Sequence, residues 1–543
     1  MALRILVADE LATEGLDFLK QSGVEFDVKT PIKEEELAAV VGSYDALIVR
    51  SKAKVTAKVL ENPGKLKAIA RAGVGVDNID QVASTAKGIL VMNTAEASTL
   101  STAEHALALM MSLARKIPSA DAHVKSGQWK KTQYQGTQLA GKTLGVVGLG
   151  RIGRTVASRA IAMEMNVVGF DPYYSQPTAL DGKVKLVRDF DEFLSQIDVI
   201  SFHVPGGEGT KHLLNRDRLF NKCRPNLLVI NDARGEVVDE FALADALKEK
   251  KIAGAAIDVF SVEPPPKDHP LFKLDNAVLT PHLGASTDEA QTAVSVEACK
   301  SIVAYLRNGE IRGAVNAGGI KLDLPPDEAP FADLARRIGA LVAGFSDGGY
   351  KNITLRASGA RAQKLMTTLL RLATVELLKP HFDTPINVIN VEHLAKSRNI
   401  ELVTIAEPSP PAGLVGDIVG VRADGPNGET HRILGTVYAD GLPRILRIDN
   451  FAMDMVPEGH MAIIINKDQP GVIGTVGSSF GDAQVNIADM VISREKHADG
   501  SATALMVLKT DSAPTDALLR GLRSKPNIVK VKSVMLPARG ASA

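Results

Sequence analysis

The sequence predicts an α/β protein in which parallel sheets are covered by helices up to about residue 310, followed by two smaller mixed modules. Three observations carry this. Short apolar runs alternate with amphipathic stretches of helical length through the first part of the chain. A glycine-rich turn, Gly148-Leu149-Gly150-Arg151-Ile152-Gly153, joins one such run to a helical stretch. The last 85 or so residues follow the order β-α-β-β-α-β.

The first ten strands are expected at 3–8, 45–49, 66–70, 89–92, 144–147, 167–170, 197–202, 227–230, 254–257 and 277–279. That is too many for one compact sheet, so two lobes are expected. Ser101-Thr102-Ala103-Glu104 reads as a capping box that starts a long linking helix to about residue 126. A second long helix, about 286–308, returns the chain to the first lobe. Two crossings make a hinge, and a cleft between lobes is a natural ligand site. Leu324-Pro325-Pro326-Asp327-Glu328-Ala329-Pro330 reads as a linker. Residues 331–455 read as a separate α/β module with a loop at 407–411 and a hairpin turn at 424–428. The closing pattern has strands at 460–466, 485–494, 502–509 and 528–535, with helices ending near 482 and starting at 515. It is the ferredoxin-like plan.

Composition excludes several functions. The chain has 543 residues, with Lys+Arg 63 balanced by Asp+Glu 63 and a formal net charge of zero. That argues against general nucleic-acid and membrane-surface binding. No apolar run is long enough to span a bilayer. Cys223 and Cys299 are the only cysteines, which excludes a disulfide framework and a four-cysteine metal site. A cytoplasmic protein without a metal is expected.

The glycine turn has the context of a dinucleotide site. Gly148 permits the tight turn, Gly150 lets the backbone approach a pyrophosphate, and Gly153 lets helix and strand pack closely. The helix N-terminus attracts the anion. Asp171 ends the next strand, placed to bind a ribose hydroxyl and to repel a 2′-phosphate, so NAD is favoured over NADP.

Three further strand ends carry polar residues. Arg234, in Asn231-Asp232-Ala233-Arg234-Gly235, can hold a carboxylate with paired hydrogen bonds, although alone it fits a surface ion pair equally well. Glu263 follows the run Asp258-Val259-Phe260, and His282 follows Thr280-Pro281. His282 can take a hydroxyl proton, with Glu263 orienting its ring. Together they point to a 2-hydroxy acid dehydrogenase. Arg50 and Arg71 also follow strands. They suit either a second negative group on the substrate or solvated loop ends. Arg71 leads into Ala72-Gly73-Val74-Gly75, a turn able to offer amides to an anion.

The strings G-L-G-R-I-G, N-D-A-R-G-E-V-V-D-E, D-V-F-S-V-E-P-P and T-P-H-L-G-A-S-T resemble the D-isomer-specific 2-hydroxyacid dehydrogenase family. The string R-A-G-V-G-V-D-N-I-D and the long tail resemble its long, phosphoglycerate-oxidising branch. This resemblance implies a flavodoxin-like substrate lobe (1–97 with 287–313) around a Rossmann-type NAD lobe (98–286). It also implies an α+β intervening domain at 325–455 and a ferredoxin-like ACT domain at 457–543. It assigns catalysis to Arg234, Glu263 and His282. NAD contacts fall to Gly148, Gly150, Arg151, Ile152, Gly153, Asp171, Val204, Pro205, Asp232, Ala233, Asp258, Gly284 and Ala285. Substrate contacts fall to Arg50, Arg71, Gly73, Ser98, Arg234 and His282, and effector contacts to Asn466, Asp468 and Asn486. The implied reaction is NAD-linked oxidation of 3-phosphoglycerate to 3-phosphohydroxypyruvate, the first step of serine synthesis. Serine is the implied effector, and a homodimer or homotetramer the implied assembly.

The chain departs from the family pattern at Asp232, where a small neutral residue is usual, and at Glu236, Ser98, Val204, Val74 and Asn466. The rival readings are a glyoxylate or hydroxypyruvate reductase, an NAD-sensing regulator without catalysis, and an inactive amino-acid-binding scaffold. The presence of the two tail modules argues for phosphoglycerate over the reductases, their folded α/β pattern argues against the regulator, and the intact Arg234, Glu263 and His282 argue against the scaffold.

Overall fold

The structure is a computed structural model that describes residues 3–346 and 348–536. Its first sheet has five parallel strands in the order Glu25–Val28, Arg4–Val7, Ala46–Val49, Ala68–Arg71, Leu90–Asn93. This is the flavodoxin-like order. Central strands such as Ala46–Val49 are buried throughout, as a sheet covered on both faces requires. Glu25–Val28, which lies outside the expected strands, is the edge strand, where its two acidic residues remain near water. Helix Asp288–Asn308 completes this lobe: Val294, Ala298 and Ile302 pack with Ile5, Val7 and Ala68. The return segment continues past residue 313, since Ala314 bridges to Met92 and Asn316 accepts the Val91 N–H at 2.8 Å.

The second sheet has eight strands. Their order is Ala277–Leu279, Gly254–Ile257, Leu228–Asn231, Val199–Phe202, Thr143–Val147, Asn166–Phe170, Val184–Leu186, Thr178–Ala179. All pairs are parallel except the last two strands. Chain order reverses at Thr143–Val147, and such a switch point opens a crevice at the strand C-termini. Val147, Phe202, Asn231, Ile257 and Leu279 lie in one register row. The next residues, Gly148, His203, Asp232, Asp258 and Thr280, therefore stand side by side at the crevice floor. Phe193 and Phe202 are fully buried beneath it, each side chain contributing about 2–3 kcal/mol by leaving water.

The linking helix differs from expectation. It starts at Thr99, not at a Ser101 cap, and stops at Ala114. Lys116 takes a left-handed conformation (φ 53°), and a second helix, Ile117–Lys125, carries Pro118 in its first turn. Proline is tolerated there but not in a helix interior, so one continuous helix is excluded. Ser101 instead donates to the Gly284 carbonyl at 2.9 Å, and Glu104 meets Arg159 at 3.3 Å. The expected capping box does not form.

A six-stranded sheet follows, in the order Glu401–Ala406, Asn352–Ser358, Ile418–Asp424, Thr430–Val437, Pro443–Ile448, Phe451–Met455. Helices Ala329–Phe345 and Met366–Leu378 cover one face. Gly339 lets them touch, because a Cβ there would lie 2.3 Å from the Ala373 carbonyl oxygen. The last sheet is antiparallel, in the order Ile487–Lys496, Ala502–Thr510, Gly459–Lys467, Ile528–Leu536. Its two faces are both used. Met461 and Ile463 join the core of the preceding module, while Ala462 and Ile464 pack under helices Val472–Asp482 and Asp516–Arg523. The period of two along one strand thus binds the two tail modules together. Among the described residues, no helix is long and apolar enough to cross a membrane.

Candidate active site

The glycine turn is built as a phosphate cradle. Gly148 has φ +87°, and a Cβ there would lie 2.5 Å from the His203 carbonyl oxygen. A Cβ at Gly153 would lie 1.9 Å from the Gly148 oxygen, which is how helix Arg151–Ala162 packs onto the turn. Gly150 caps that helix and faces open space. Asp171 accepts the Leu149 N–H at 2.9 Å and the Tyr173 N–H at 2.9 Å, so its carboxylate is fixed beside the turn. Arg151 pairs with Glu96 at the mouth.

Asp258 organises the far end of the crevice. It is fully buried and accepts from the Thr280 hydroxyl (2.6 Å), the Leu283 N–H (2.8 Å) and the Gly284 N–H (3.0 Å). His105, reaching over from helix Thr99–Ala114, lies 3.1 Å away. Burial opposes ionisation of Asp258, but these hydrogen bonds, His105 foremost, hold it below the usual carboxylate range. In return the hydrogen bond to Asp258 raises the His105 imidazole. Asp232 is the opposite case. Its side chain is buried, both carboxyl oxygens lack a hydrogen-bond partner, and burial with the nearby Asp258 charge pushes it up to about 8. His203 Nδ1 lies 3.6 Å from it, and complete burial pushes that imidazole down to about 3. His203 is therefore neutral and is held by Ser201 at 2.9 Å. Sequence reasoning missed His105 and His203. His203 had a signal, because it follows an apolar strand just as Asp232 does.

His282 stands across the cleft with φ +57°. This backbone costs a β-carbon-bearing residue of order 1 kcal/mol. It is held because the His282 N–H donates to the Asp258 carbonyl at 2.8 Å. His282 Nδ1 lies 2.8 Å from Glu263 Oε2, and the other Glu263 oxygen accepts the Phe260 N–H at 3.1 Å. Nε2 is thereby the free ring nitrogen. Phe260, Glu263, Phe272, Thr280 and His282 line a cavity of about 430 Å³.

Cations from both lobes cluster at neighbouring strand ends. Arg234 meets Asp77 of the first lobe at 3.1 Å. A Cβ at Gly75 would lie 1.8 Å from the Arg234 guanidinium, and one at Gly73 would lie 1.6 Å from that of Arg71. The segment 73–75 thus runs between two guanidinium groups because it has no side chains there to clash. Arg71 is mostly buried, its Nε has no partner, and burial plus the neighbouring Arg234 and Arg50 push it down to about 10. Arg50 contacts Gln291 and donates to the Glu10 carbonyl at 3.1 Å. Asp9 fixes its loop by accepting the Arg50 N–H at 2.6 Å. A cluster of like charges with an unpartnered nitrogen is what an anion would relieve.

Other expected residues are placed less centrally. Val204 and Pro205 follow His203 near the glycine turn, with Val204 Cγ1 2.8 Å from a Cβ built at Gly148. Ile152 and Ala233 flank the crevice on their own elements, and Ala285 accepts from Gln291 at 2.6 Å. Ser98 is fully buried with an unpartnered hydroxyl, just before the helix that carries His105. Asn466, Asp468 and Asn486 are not brought together. Asn466 pairs across to Ala504 and Arg494, whereas Asn486 precedes Ile487 at the opposite end, level with His460. About 20 Å of strand separates them at ~3.3 Å per residue. Asp468 lies 3.5 Å from Arg494, and Asn486 donates to Asp511 at 2.7 Å. Among the described residues no His, Cys, Asp and Glu group suits a metal.

The residues present fit a dinucleotide. The turn is open at Gly150, a fixed carboxylate stands at Asp171, and a buried carboxyl without partners stands at Asp232. Beside them are a histidine–carboxylate pair and clustered arginines. This fold and this cleft define a dehydrogenase of 2-hydroxy acids that uses NAD. The profile of the D-isomer specific 2-hydroxyacid dehydrogenase NAD binding domain matches residues 107–284, and that of the D-3-phosphoglycerate dehydrogenase intervening domain matches 328–449. A D-3-phosphoglycerate dehydrogenase of Archaeoglobus fulgidus is 40% identical over 98% of this chain and 100% of its own length. The NAD-dependent formate dehydrogenase of Staphylococcus aureus, solved with NAD, is 27% identical with a TM-score of 0.52, over 57% of this chain and 98% of its own. A glyoxylate/hydroxypyruvate reductase of Sinorhizobium meliloti, solved with NADP, is 27% identical with a TM-score of 0.52, over 58% and 97%. The chain belongs to the D-3-phosphoglycerate dehydrogenase family.

Proposed function

We propose that the chain oxidises 3-phospho-D-glycerate to 3-phosphohydroxypyruvate, the entry to serine synthesis. The observation that carries this is the cluster of Arg71, Arg234 and Arg50, with Arg234 following the strand next but one to the strand that His282 follows, and the Glu263–His282 pair at the intervening strand ends. A substrate with a carboxylate and a phosphate supplies the two negative groups such a cluster wants. NAD, when bound, supplies the hydride acceptor.

The residues then take distinct roles. His282 accepts the substrate hydroxyl proton at Nε2, the nitrogen left free by Glu263. Glu263 stabilises the imidazolium that results. Arg234 orients the carboxylate and the reacting oxygen with its planar fork. Arg71 and Arg50 hold the phosphate; the expected Gly73 contact is not made through its amide, because the Gly73 N–H donates to the Thr94 hydroxyl at 2.8 Å. Gly148, Gly150, Arg151, Ile152 and Gly153 hold the pyrophosphate, and Asp171 selects the unphosphorylated ribose. Asp258, Asp232, Ala233, Val204, Pro205, Gly284 and Ala285 surround the nicotinamide end.

The C-terminal module acts as an ACT regulatory domain that takes serine. Asn466 and Asp468 of one chain and Asn486 of a second would complete that site, which is consistent with a homodimer or homotetramer. The unpartnered buried Asn466 oxygen supports this reading. Domain limits at 97, 286, 325 and 457 follow the same division, with the first lobe's return segment extended beyond 313 to at least Asn316. The reduced thiols of Cys223 and Cys299 support a cytoplasmic setting.

The test is a side-by-side reduction assay with phosphohydroxypyruvate, hydroxypyruvate, glyoxylate and 2-oxoglutarate. The phosphorylated acid should give the highest kcat/KM by at least tenfold. A preference for glyoxylate would overturn the reading.

A further inference from the structure

Asp232 stands at the proposed nicotinamide end, yet no proton or charge there has been assigned to its carboxyl. It is the first residue past the register row, between His203 on one neighbouring strand end and Asp258 on the other. Its side chain is fully buried, and neither oxygen has a hydrogen-bond partner. A buried carboxyl without partners is costly and rarely retained without a ligand to meet it. The titratable groups facing it are few. His203 from strand Val199–Phe202 is neutral through burial. Asp258, beyond strand Gly254–Ile257, is ionised, and His105 from helix Thr99–Ala114 is bonded to it. The Asp258 charge is thus answered by a hydrogen bond from His105, whereas an Asp232 charge would be met only through space by the same His105, with no hydrogen bond of its own.

We infer that Asp232 distinguishes oxidised from reduced nicotinamide by exchanging one proton: it is a carboxylic acid in the free chain and beside the neutral reduced ring, and a carboxylate beside the positively charged oxidised ring. This rests on the nicotinamide lying in the crevice, as proposed above. The balance is simple. Binding of the oxidised cofactor releases the Asp232 proton to solvent. During turnover His282 would take the hydroxyl proton, and Asp232 would recover a proton from solvent as the bound cofactor accepts the hydride and so loses its ring charge. Burial, which holds the free acid up to about 8, makes this exchange fall in the working pH range. An uncharged residue at this position would have no such preference.

Calorimetry on the full chain tests this with NAD+ and NADH as probes. One linked proton makes NAD+ affinity rise about tenfold per pH unit from pH 6 to 8 and level off above, while NADH affinity stays flat. In two buffers of different ionisation enthalpy, NAD+ binding at pH 7 should release about one proton and NADH binding none. This count needs no variant. Asp232→Asn should flatten the NAD+ profile, and His105→Gln should keep its slope. Flat NAD+ binding in the parent, or a slope that survives Asp232→Asn and vanishes in His105→Gln, would overturn the inference. Failure of both cofactors to bind would instead sink the underlying reading of the crevice.

Discussion

The nucleotide lobe and the C-terminal four-stranded module are both sheets with polar residues at strand ends, yet they treat those residues differently. In the first, parallel strands all point their C-termini one way. Gly148, His203, Asp232, Asp258 and Thr280 therefore converge on one crevice within a single chain. In the second, antiparallel strands alternate direction. Asn466 and Asp468 lie at one end and Asn486 at the other. Parallel topology gathers chemistry inside a chain, whereas antiparallel topology disperses it along the strands; on the proposed reading a second copy completes the effector site. Catalysis should then be a property of each chain, and effector binding a property of the assembly.

The largest effect that tests the catalytic half of this contrast is His282→Ala. Loss of the acid/base should lower turnover by at least 100-fold while NADH binding, followed by fluorescence, persists. Near-normal turnover would remove His282 from its role. Next is Asp171→Gly. It deletes the carboxylate held by Leu149 and Tyr173 and with it the repulsion of a 2′-phosphate. The ratio of kcat/KM for NAD over NADP should fall at least tenfold. An unchanged ratio would mean that another residue selects the cofactor. Because solved neighbours of similar fold carry NAD or NADP, the fold alone does not set this choice.

The effector half is tested by mixing. Asn466→Ala and Asn486→Ala should each weaken serine binding about tenfold, the value of one lost hydrogen bond to a charged ligand. Chains carrying one change mixed with chains carrying the other should regain a share of parent-like sites, seen by calorimetry. No recovery would place the site within one chain and break the comparison.

Legibility in the sequence follows the same division. The glycine turn and the strand-end residues Arg234, Glu263 and His282 are readable because βαβ units convert local order into spatial neighbourhood. The Asp258–His105 bond and the Arg234–Asp77 pair are not readable, since each joins elements more than a hundred residues apart. The break at Lys116 also escapes pattern reading. A left-handed lysine is not a propensity signal, and Pro118, which enforces the break, reads equally as a kink. Strand Thr178–Ala179 is too short to carry a period. Ser101 looked like a cap by spacing, but tertiary contact with Gly284 takes its hydroxyl.

The smallest effect compares two buried side chains with unpartnered oxygens, Asp232 in the nucleotide lobe and Asn466 in the C-terminal module. An amide does not titrate, so Asn466 gives its module no pH dependence. Asp232 does. Its folded-state value near 8 lies above the ordinary unfolded aspartate value of about 3.9. Between those limits the unfolded chain has lost a proton that the folded chain keeps. Stability of the cofactor-free lobe therefore falls as pH rises, by at most about 1.4 kcal/mol per unit, and it is greatest at the acid end of this window. Asp232→Asn removes the dependence, so its advantage over the parent should grow by about 1 kcal/mol between pH 6 and 7. Hydrogen exchange of strand Leu228–Asn231 reads this lobe apart from the others. A constant difference across that pH range would show that Asp232 is already ionised in the free chain. The row of strand ends would then hold two charges side by side, with only His105 to answer them.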